Sequence, residues 1–402
     1  MSEQPTAAYL PTPAPPSQGL ATEEFRPDAG GAVAGHMIQL NGIRALAVLM
    51  VLLSHTIPTL RDYLNLGQAG VRLFFVLSGF LITGILLRAK DQARAAGEGR
   101  RYVAIAFYAR RFLRIFPLYY AVLFAAALVG LPQVRETFLW HLAYLSNYYM
   151  VASGTFAGRP IEHLWSLSVE EQFYLVWPAV LLLTPRRLLV PVLLLTILAG
   201  PVSRTILIAR THNYVVMQFV TSSCLDSLGM GALMAALARG GDGSRRLRLR
   251  LRAVNAVGGL ILIASFVFLR ASGTGYMIRD VFGFLAQSML AAWLVDRAAL
   301  GFGGLGKAIF EFRPVVYLGT ISYGVYVYHD FVPVVVPMLG HLIGFDPQFP
   351  MEGGILRFLY VTSVTLTVAA ASWHGFEKPL NDLKDRFPYV RRRHTAPTDL
   401  CA

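Results

Sequence analysis

Charge is scarce in this chain of 402 residues. Asp, Glu, Lys and Arg together make up 15% of the sequence, while 55% of the residues are hydrophobic. Because a soluble globular domain carries about 25% charged residues, this composition excludes an ordinary soluble protein. Apolar runs of about 20 residues, the length that crosses a bilayer, recur along the chain. The sequence therefore predicts an all-α, polytopic integral membrane protein of about ten transmembrane helices.

Cysteine is equally rare, and histidine follows no metal-binding pattern. The two cysteines, Cys224 and Cys401, cannot build a disulfide framework, and neither has the spacing of a zinc ligand. The nine histidines form no His-x-His or His-Glu-x-x-His pattern. We therefore predict no metal centre and no permanently bound cofactor.

The chain also lacks the pattern of a secretory signal peptide. Its first 35 residues are rich in Pro and Ala, and no basic segment in them precedes an apolar one. We expect residues 1–35 to form a disordered cytoplasmic tail. Residues 36–380 are then one undivided membrane domain, and residues 381–402 a basic cytoplasmic tail.

Positive charge is concentrated in short clusters between the apolar runs. The formal net charge is +13, and every second connection carries a basic cluster, as cytoplasmic loops do. This pattern predicts that both termini face the cytoplasm. The basic clusters are not interleaved with aromatic residues in a groove, so we expect no nucleic-acid binding.

The predicted spans are ten apolar runs with ends uncertain by a few residues. They cover residues 40–60, 70–87, 113–131, 168–184, 188–208, 217–238, 253–270, 279–296, 314–339 and 355–375. Residues 138–151 are too short and too polar to cross a bilayer. We interpret them as an interfacial or re-entrant helix on the outer side, where Trp140 suits the headgroup boundary.

Two ionisable residues lie within the first predicted span. Arg44 and His55 are eleven residues apart, close to three helical turns, so both project from one stripe about 16 Å apart along the axis. Ionisable groups in hydrocarbon normally face a polar interior and serve a pathway or a reaction. The alternative is that Arg44 reaches a lipid headgroup and His55 makes one hydrogen bond within the bundle.

The densest polar cluster lies at the start of the fourth predicted span, where Glu170 and Glu171 are adjacent. Ser168 and Glu171 have the spacing of a capping box, which predicts a helix-start role for Glu171. Glu170 points about 100° away on the same helix. It is therefore the candidate that orients a histidine or binds a reacting hydroxyl.

Other polar residues have competing structural explanations. Arg111 and Arg114 lie one turn apart at the predicted start of the third span, which suits phosphate binding but also marks cytoplasmic helix ends. Ser78 lies next to Gly79, and this pair of small residues favours close helix packing over a role of Ser78 as a catalytic nucleophile. In the ninth span, the spacing of Tyr326 and His329 favours a hydrogen-bonded interior seam over catalysis.

Several of these motifs, in this order, resemble the membrane acyltransferase 3 family over residues 38–380. They are Arg44-x10-His55, LFFVLSGFLIT at residues 73–83, Arg111-x-x-Arg114, HLWSLSVEEQFYL at residues 163–175, residues 318–329, and FEKP at residues 376–379. HLWSLSVEEQFYL is highly specific, whereas Arg-x-x-Arg alone is not. Two positions depart from the usual pattern, since Asn41 and Arg72 stand where aspartate is common. The change at Arg72 replaces a negative group by a positive one, and we expect this positive charge to lie at the outer opening of the site.

The resemblance implies a multi-pass O-acyltransferase of the plasma (inner) membrane. Such enzymes transfer an acyl group, usually acetyl, from cytoplasmic acyl-CoA to a hydroxyl of an envelope glycan, lipid-linked sugar or secondary metabolite.

By the same resemblance, His55 would deprotonate the acceptor hydroxyl or carry the acyl group. Arg44 would steady the thioester or the oxyanion, and Glu170 would support His55 or the acceptor. Arg111 and Arg114 would meet the coenzyme A phosphates. Apart from the resemblance, we predict substrate contacts from Ser78, Tyr326 and His329.

A transporter or flippase for a polar or lipid-linked substrate is the alternative, because buried Arg, His and Glu also line translocation paths. No duplicated halves with paired broken helices are visible in the sequence. Transport would also proceed without acyl-CoA, whereas acyl transfer would not.

Overall fold

The computed structural model describes residues 32–58, 65–155, 158, 160–271, 276–342, 344 and 354–391. All secondary structure in these residues is helical, which confirms the predicted all-α class. Residues 1–31 and 392–402, which contain most of the two predicted tails, lie outside the described residues.

The described helices follow one another closely along the chain. They are α1 (Ala32–Thr56), α2 (Leu66–Ala96), α3 (Arg100–Val129), α4 (Pro132–Leu142), α5 (Ser146–Ser153), α6 (Trp165–Leu183), α7 (Arg186–Thr211), α8 (Tyr214–Phe219), α9 (Leu225–Ala238), α10 (Asp242–Ala271), α11 (Tyr276–Leu300), α12 (Gly304–Phe310), α13 (Arg313–Thr320), α14 (Ser322–Tyr328), α15 (Val332–Leu342), α16 (Ile355–Ser372) and α17 (Lys378–Asp382). A π-turn at Trp373–Glu377 joins α16 to α17.

Five helical segments among the described residues are long and apolar enough to cross a membrane. They are Ile38–Thr56, Leu66–Ala96, Arg100–Val129, Arg186–Thr211 and Ile355–Arg386. The protein is therefore a helical membrane protein, while the count of ten spans and the cytoplasmic termini stay predictions.

Two predicted spans are broken helices. Residues 217–238 fall on α8, a 3-10 turn and α9, and residues 314–339 fall on α13, α14 and α15. The second break has a local cause, because the ring of Pro333 lacks an N–H and would clash with the carbonyl of residue 329 in a continuous helix. Non-helical backbone at this depth is tolerated where protein surrounds it. The break places residues 329–331 in a turn inside the bundle.

The segment 138–151 forms no continuous helix. It contains the end of α4 and most of α5, separated at Tyr144, whose φ is +53°. At 1.5 Å per residue, the 11 residues of α4 and the 8 of α5 are each too short to cross a bilayer.

Helix α2 is the centre of the bundle. In its most apolar membrane-length window, 83% of the residues are buried, against 28% or less in α3 and α7. It packs against α1, α6, α9 and α11, and its residues 73–86 are largely apolar on all faces, as buried helices are. Glycine makes the α2–α9 crossing close: a Cβ at Gly79 would lie 1.9 Å from Leu228 O, and one at Gly231 2.0 Å from Val76 O.

Arg72 lies in this interior and not at an outer mouth, so that expectation is wrong. Its side chain is fully buried on α2, with Nη1 3.4 Å from Asp226 Oδ1 and the guanidinium 4.5 Å from the centre of the Phe284 ring. Arg204 Nη2 donates to the other oxygen of Asp226 at 2.8 Å. Asp226 is therefore shared by two buried guanidinium groups, and through Asp226 and Phe284 the side chain of Arg72 joins α2 to α9 and α11.

Candidate active site

A cavity of about 100 Å3 lies between α1, α2, α3, α6 and α14. At about 10–15 Å3 for one water molecule, this volume holds several waters or a small substrate group. The polar residues that line it are Arg44, Ser78, Arg111, Arg114, Ser166, Glu170, Glu171, Tyr174, Ser322, Tyr323 and Tyr326. The structure thus collects six of the eight predicted site residues around one cavity; His55 and His329 lie elsewhere.

More positive than negative side chains line this cavity. It is lined by three guanidinium groups and by two carboxylates, those of Glu170 and Glu171, while the rest of the wall is divided between apolar side chains and the hydroxyl groups of serine and tyrosine. In such surroundings, charges interact more strongly than they do in water. The excess of planar, bidentate donors suits an anion such as a phosphate.

Glu170 is held by a short hydrogen-bond chain. Ser78 Oγ donates to Glu170 Oε1 at 2.6 Å, and the Tyr174 hydroxyl donates to Ser78 Oγ at 2.8 Å. The Ser78 hydroxyl therefore orients the carboxylate. Its neighbour Gly79 makes the close packing that the small pair of residues predicts.

The capping-box interpretation of Glu171 is wrong. Helix α6 begins at Trp165, directly after the 3-10 turn Glu162–Leu164, so Ser168 is already inside the helix. Ser168 Oγ lies 2.8 Å from Ser146 Oγ instead. Glu171 lines the cavity, and its Oε1 is buried without a hydrogen-bond partner in the described part of the chain. Sequence reasoning missed it because the spacing had an adequate local explanation.

The two cavity arginines of α3 lie well inside that helix. Helix α3 begins at Arg100, so Arg111 and Arg114 lie in mid-helix and not at its start. The Arg111 guanidinium is 5.6 Å from the centre of the Tyr174 ring. The topological explanation of these arginines therefore does not account for their inward direction.

His55 belongs to a second polar cluster, which comprises His55, His163, His329 and Asp330. His55 Nδ1 is 3.2 Å from Asp330 Oδ1 and 3.1 Å from His329 Nε2. His163 Nδ1 is 3.5 Å from Asp330 Oδ2. The side chain of His55 is 27% exposed and that of Asp330 only 2%. This histidine–aspartate cluster unites α1, the turn before α6 and the break after α14.

Hydrogen bonds to backbone carbonyls determine the ring tautomers in this cluster. His329 Nδ1 is 2.6 Å from Tyr326 O, and His163 Nε2 is 3.1 Å from Val327 O. A carbonyl only accepts, so both of these nitrogens donate. In the neutral rings, His329 Nε2 and His163 Nδ1 then carry lone pairs. His55 Nδ1 consequently donates to His329 and Asp330, which leaves His55 Nε2 as the basic nitrogen.

Tyr326 separates the cavity from the histidine–aspartate cluster. It lines the cavity, and its ring centre is 5.4 Å from that of His163 and 5.6 Å from that of His329. Its hydroxyl donates to His163 O at 2.9 Å and lies 2.6 Å from Ser166 Oγ. The seam predicted in this segment is thus interior and hydrogen-bonded, and it lies between the cavity and the histidine–aspartate cluster.

Asp330 and His163 were missed as site residues. His163 is the first residue of the HLWSLSVEEQFYL motif and Asp330 directly follows the segment 318–329, but the two are 167 positions apart in the chain, so no local spacing pairs them. The signal that could have identified Asp330 is its position within a predicted span, where a carboxylate is costly unless it has a function. The prediction of no metal centre likewise used chain spacing alone, whereas His55, His329 and Asp330 place their ligand atoms within 4.8 Å of one another.

The fold, the cavity and the histidine–aspartate cluster define a helical membrane protein with ionisable groups in its interior. The family described as "Acyltransferase domain" matches residues 37–374, and the chain belongs to that family.

Three relatives indicate the range of similarity. The chain is 28% identical over 363 residues to the peptidoglycan O-acetyltransferase OatA of Listeria monocytogenes, covering 85% of this chain and 55% of the relative. It is 29% identical over 364 residues to the putative peptidoglycan O-acetyltransferase YrhL of Bacillus subtilis, covering 85% of this chain and 54% of the relative. For the O-acetyltransferase OatA of Staphylococcus aureus the identity is 25% over 367 residues, covering 85% of this chain and 56% of the relative. The chain spans about half the length of these curated relatives, and no solved structure matches it significantly.

Proposed function

We propose that this protein is an O-acyltransferase of the plasma membrane. It moves an acyl group, with acetyl the first candidate, from cytoplasmic acyl-CoA to a hydroxyl of an envelope glycan, lipid-linked sugar or secondary metabolite. The observation that carries the proposal is the juxtaposition of an arginine-rich cavity with an oriented histidine. The names of the relatives, peptidoglycan O-acetyltransferase and O-acetyltransferase, support acetyl as the transferred group and a glycan as the acceptor class.

The arginine-rich cavity is the donor end of the proposed site. Coenzyme A is polyanionic, and Arg44, Arg111 and Arg114 all face this cavity. Arg111 and Arg114 bind donor phosphate through bidentate hydrogen bonds. Arg44 lines the same cavity but lies about 16 Å from His55 along α1, so it binds the donor on the cavity side, away from the carbonyl that reacts at His55.

The histidine–aspartate cluster is the acceptor end. His55 Nε2 takes the proton of the acceptor hydroxyl while the oxygen attacks the thioester carbonyl. The carbon–sulfur bond then breaks, and the coenzyme A thiolate takes up the proton. Asp330 stabilises the imidazolium that forms on His55, and His329 helps to hold the ring in the required tautomer. Since Tyr326 separates the two ends, the thioester reaches His55 past the Tyr326 side chain.

The first experiment compares cells that lack the gene with cells complemented by the intact chain, by His55→Ala or by His374→Ala. His374 is the matched control, because it is exposed and its ring lies against Tyr317, which lines neither the cavity nor the histidine–aspartate cluster. Mass spectrometry of envelope glycans and extracted lipids is expected to find an acyl-sized mass increase with the intact chain and with His374→Ala. At matched membrane abundance, His55→Ala is expected to lack it. Full modification with His55→Ala would contradict the assigned role of His55.

A further inference from the structure

Two buried polar groups close to the arginine-rich cavity have no hydrogen-bond partner in the described part of the chain. They are the Glu171 oxygen Oε1 and the hydroxyl of Tyr144. Burying a polar group without a hydrogen bond is costly, so such groups are rare in folded proteins and need an explanation. The proposed proton transfer at His55 uses neither of them.

The two groups are neighbours that do not bond to each other. Gln172, the residue after Glu171, donates from Nε2 to the backbone oxygen of Tyr144 at 2.8 Å. Burial, and then the nearby Tyr323 phenol and Glu171 carboxylate, raise the pKa of Tyr144. Its hydroxyl therefore keeps its proton and can donate, while the carboxylate oxygen of Glu171 accepts. Since Glu171 and Tyr323 both line the cavity, the Tyr144 hydroxyl lies at its edge.

The structure holds the Tyr144 ring rigidly, at the expense of backbone strain. Its φ of +53° lies in the left-handed region, where a bulky side chain is strained. Strain of this kind persists where the surroundings enforce it, and it is concentrated at binding and catalytic sites. The ring stacks on that of Tyr119 with the centres 4.3 Å apart, and the Tyr119 hydroxyl donates to His141 O at 2.9 Å. The Tyr144 hydroxyl is therefore fixed in position.

We propose that Tyr144 and Glu171 bind an amide group in the pantetheine arm of the acyl-CoA donor. A fixed donor beside a fixed acceptor complements a secondary amide, whose N–H donates to Glu171 Oε1 and whose carbonyl oxygen accepts from the Tyr144 hydroxyl. The arm of coenzyme A carries such amides between its phosphates and its sulfur atom. Arg111 and Arg114 of the same cavity are assigned to the phosphates, so phosphates and arm have separate binding residues.

The role of this pair is to position the donor. Tyr144 and Glu171 take no part in proton transfer, and they fix the arm whose far end carries the thioester. This inference rests on the proposed function, because it takes acyl-CoA as the ligand of the cavity. A hydroxyl of the acceptor also donates and accepts, so the experiment has to separate an amide of the donor from a hydroxyl of the acceptor.

Calorimetric titration of the purified full chain compares coenzyme A with its adenosine bisphosphate portion, which has phosphates but no pantetheine arm. The quantity measured is the ratio of the two affinities, because a change in the charge of the cavity affects both ligands alike. We expect this ratio to fall about 10-fold in Tyr144→Phe and in Glu171→Leu, as for the loss of a hydrogen bond in a buried site. Both variants are checked for a monodisperse elution profile.

Two matched variants serve as controls. Tyr149 lies in the next helix, α5, and its ring contacts Trp140, while Glu136 is exposed on α4. Neither residue lines the cavity. Tyr149→Phe and Glu136→Gln are therefore expected to leave the affinity ratio unchanged.

The outcomes separate this inference from the proposed function. If the intact chain binds coenzyme A and the ratio is unchanged in Tyr144→Phe and Glu171→Leu, the pair holds water only and the inference is overturned. In membrane vesicles of the producing cells, the KM for acetyl-CoA should rise in Tyr144→Phe; a rise only in the KM for the acceptor would also overturn it. Binding of neither ligand to the intact chain would contradict the proposed donor, and the inference with it. The expected ratios without any transfer would contradict the proposed function and leave the inference standing.

Discussion

Asp330 illustrates what a single residue contributes to this site. It is almost fully buried and touches both His55 and His163 through different carboxylate oxygens. A buried carboxylate in this position stabilises the positive charge that develops on the base during proton transfer. In the proposed reaction Asp330 therefore acts through His55 and is a positioning residue.

Replacing Asp330 by Asn tests this role. The amide keeps the shape and can still accept from His55 Nδ1–H, but it removes the negative charge beside the imidazolium. We expect the transfer rate to fall about 100-fold, within the range of general acid–base catalysis, with little change in the KM for acyl-CoA. Asp382→Asn is the control, because Asp382 pairs with Lys378 at an exposed helix end. A rate within a factor of two of the intact chain would exclude the assigned role.

Arg114→Lys tests the donor end. Lysine keeps the charge but loses the planar fork that grips a phosphate, so the KM for acyl-CoA is expected to rise about 10-fold, equivalent to about 1.4 kcal/mol. The rate at saturation should change much less. The control is Arg110→Lys on the same helix, since Arg110 donates to Lys384 O and Phe387 O outside the cavity. Equal effects of both changes would contradict a specific donor contact.

At the scale of elements, the position of α2 determines the shape of the cavity. The helix carries Ser78 and much of the apolar cavity wall, while its opposite contacts to α9 are made by glycine. Small residues allow membrane helices to approach closely. The α2–α9 crossing therefore positions the wall of the site.

Gly79→Ala is expected to disturb this crossing. The added methyl group would lie 1.9 Å from the carbonyl oxygen of Leu228, a backbone atom that cannot rotate away. Overpacking of this kind costs about 1–3 kcal/mol, so the melting temperature of the detergent-solubilised protein should fall. Gly243→Ala provides the comparison, because a Cβ at Gly243 meets no atom within 4 Å. Unchanged melting of Gly79→Ala would show that the crossing is looser than described.

The break between α14 and α15 determines where His329 and Asp330 lie. The apolar run at residues 314–339 predicts one span, but Pro333 interrupts the helix. The break is nevertheless what places His329 and Asp330 on a turn, where both can face His55 and His163. In a continuous helix of 3.6 residues per turn, the adjacent His329 and Asp330 would project about 100° apart around the axis.

For the whole molecule, the arrangement of basic clusters predicts which loops face the cytoplasm. Thr155 lies between α5 and α6 on the predicted outer side, and Asp242 begins α10 in a predicted cytoplasmic connection. Both residues are exposed, whereas the native Cys224 is buried.

Cysteine labelling tests this topology in a Cys401→Ser background. A membrane-impermeant maleimide added to intact cells freed of their wall should label Thr155→Cys. Labelling of Asp242→Cys should require permeabilised cells, because the reagent cannot cross the bilayer. The opposite pattern would reverse the orientation and would place the arginine-rich cavity nearer the outer face, away from cytoplasmic acyl-CoA.

What the sequence by itself determined is the part that composition and local spacing encode. Scarce charge and long apolar runs establish a helical membrane protein, and the spacing of Arg44 and His55 identifies one polar stripe. The ionisable residues of α1, α3 and α6 stand out because hydrocarbon would reject them unless they faced a polar interior. Six of the eight predicted site residues do face one cavity.

Only the tertiary structure decided how these residues are divided. It separates His55 and His329 from the cavity, adds Glu171 to the cavity wall, and pairs Asp330 with His55 and His163. It also buries Arg72 against Asp226, 154 positions away. Such pairings depend on which helix faces contact one another, and side-chain identity along one chain does not specify those contacts. Long-range packing of α1, α6 and the turn after α14 therefore creates the histidine–aspartate cluster.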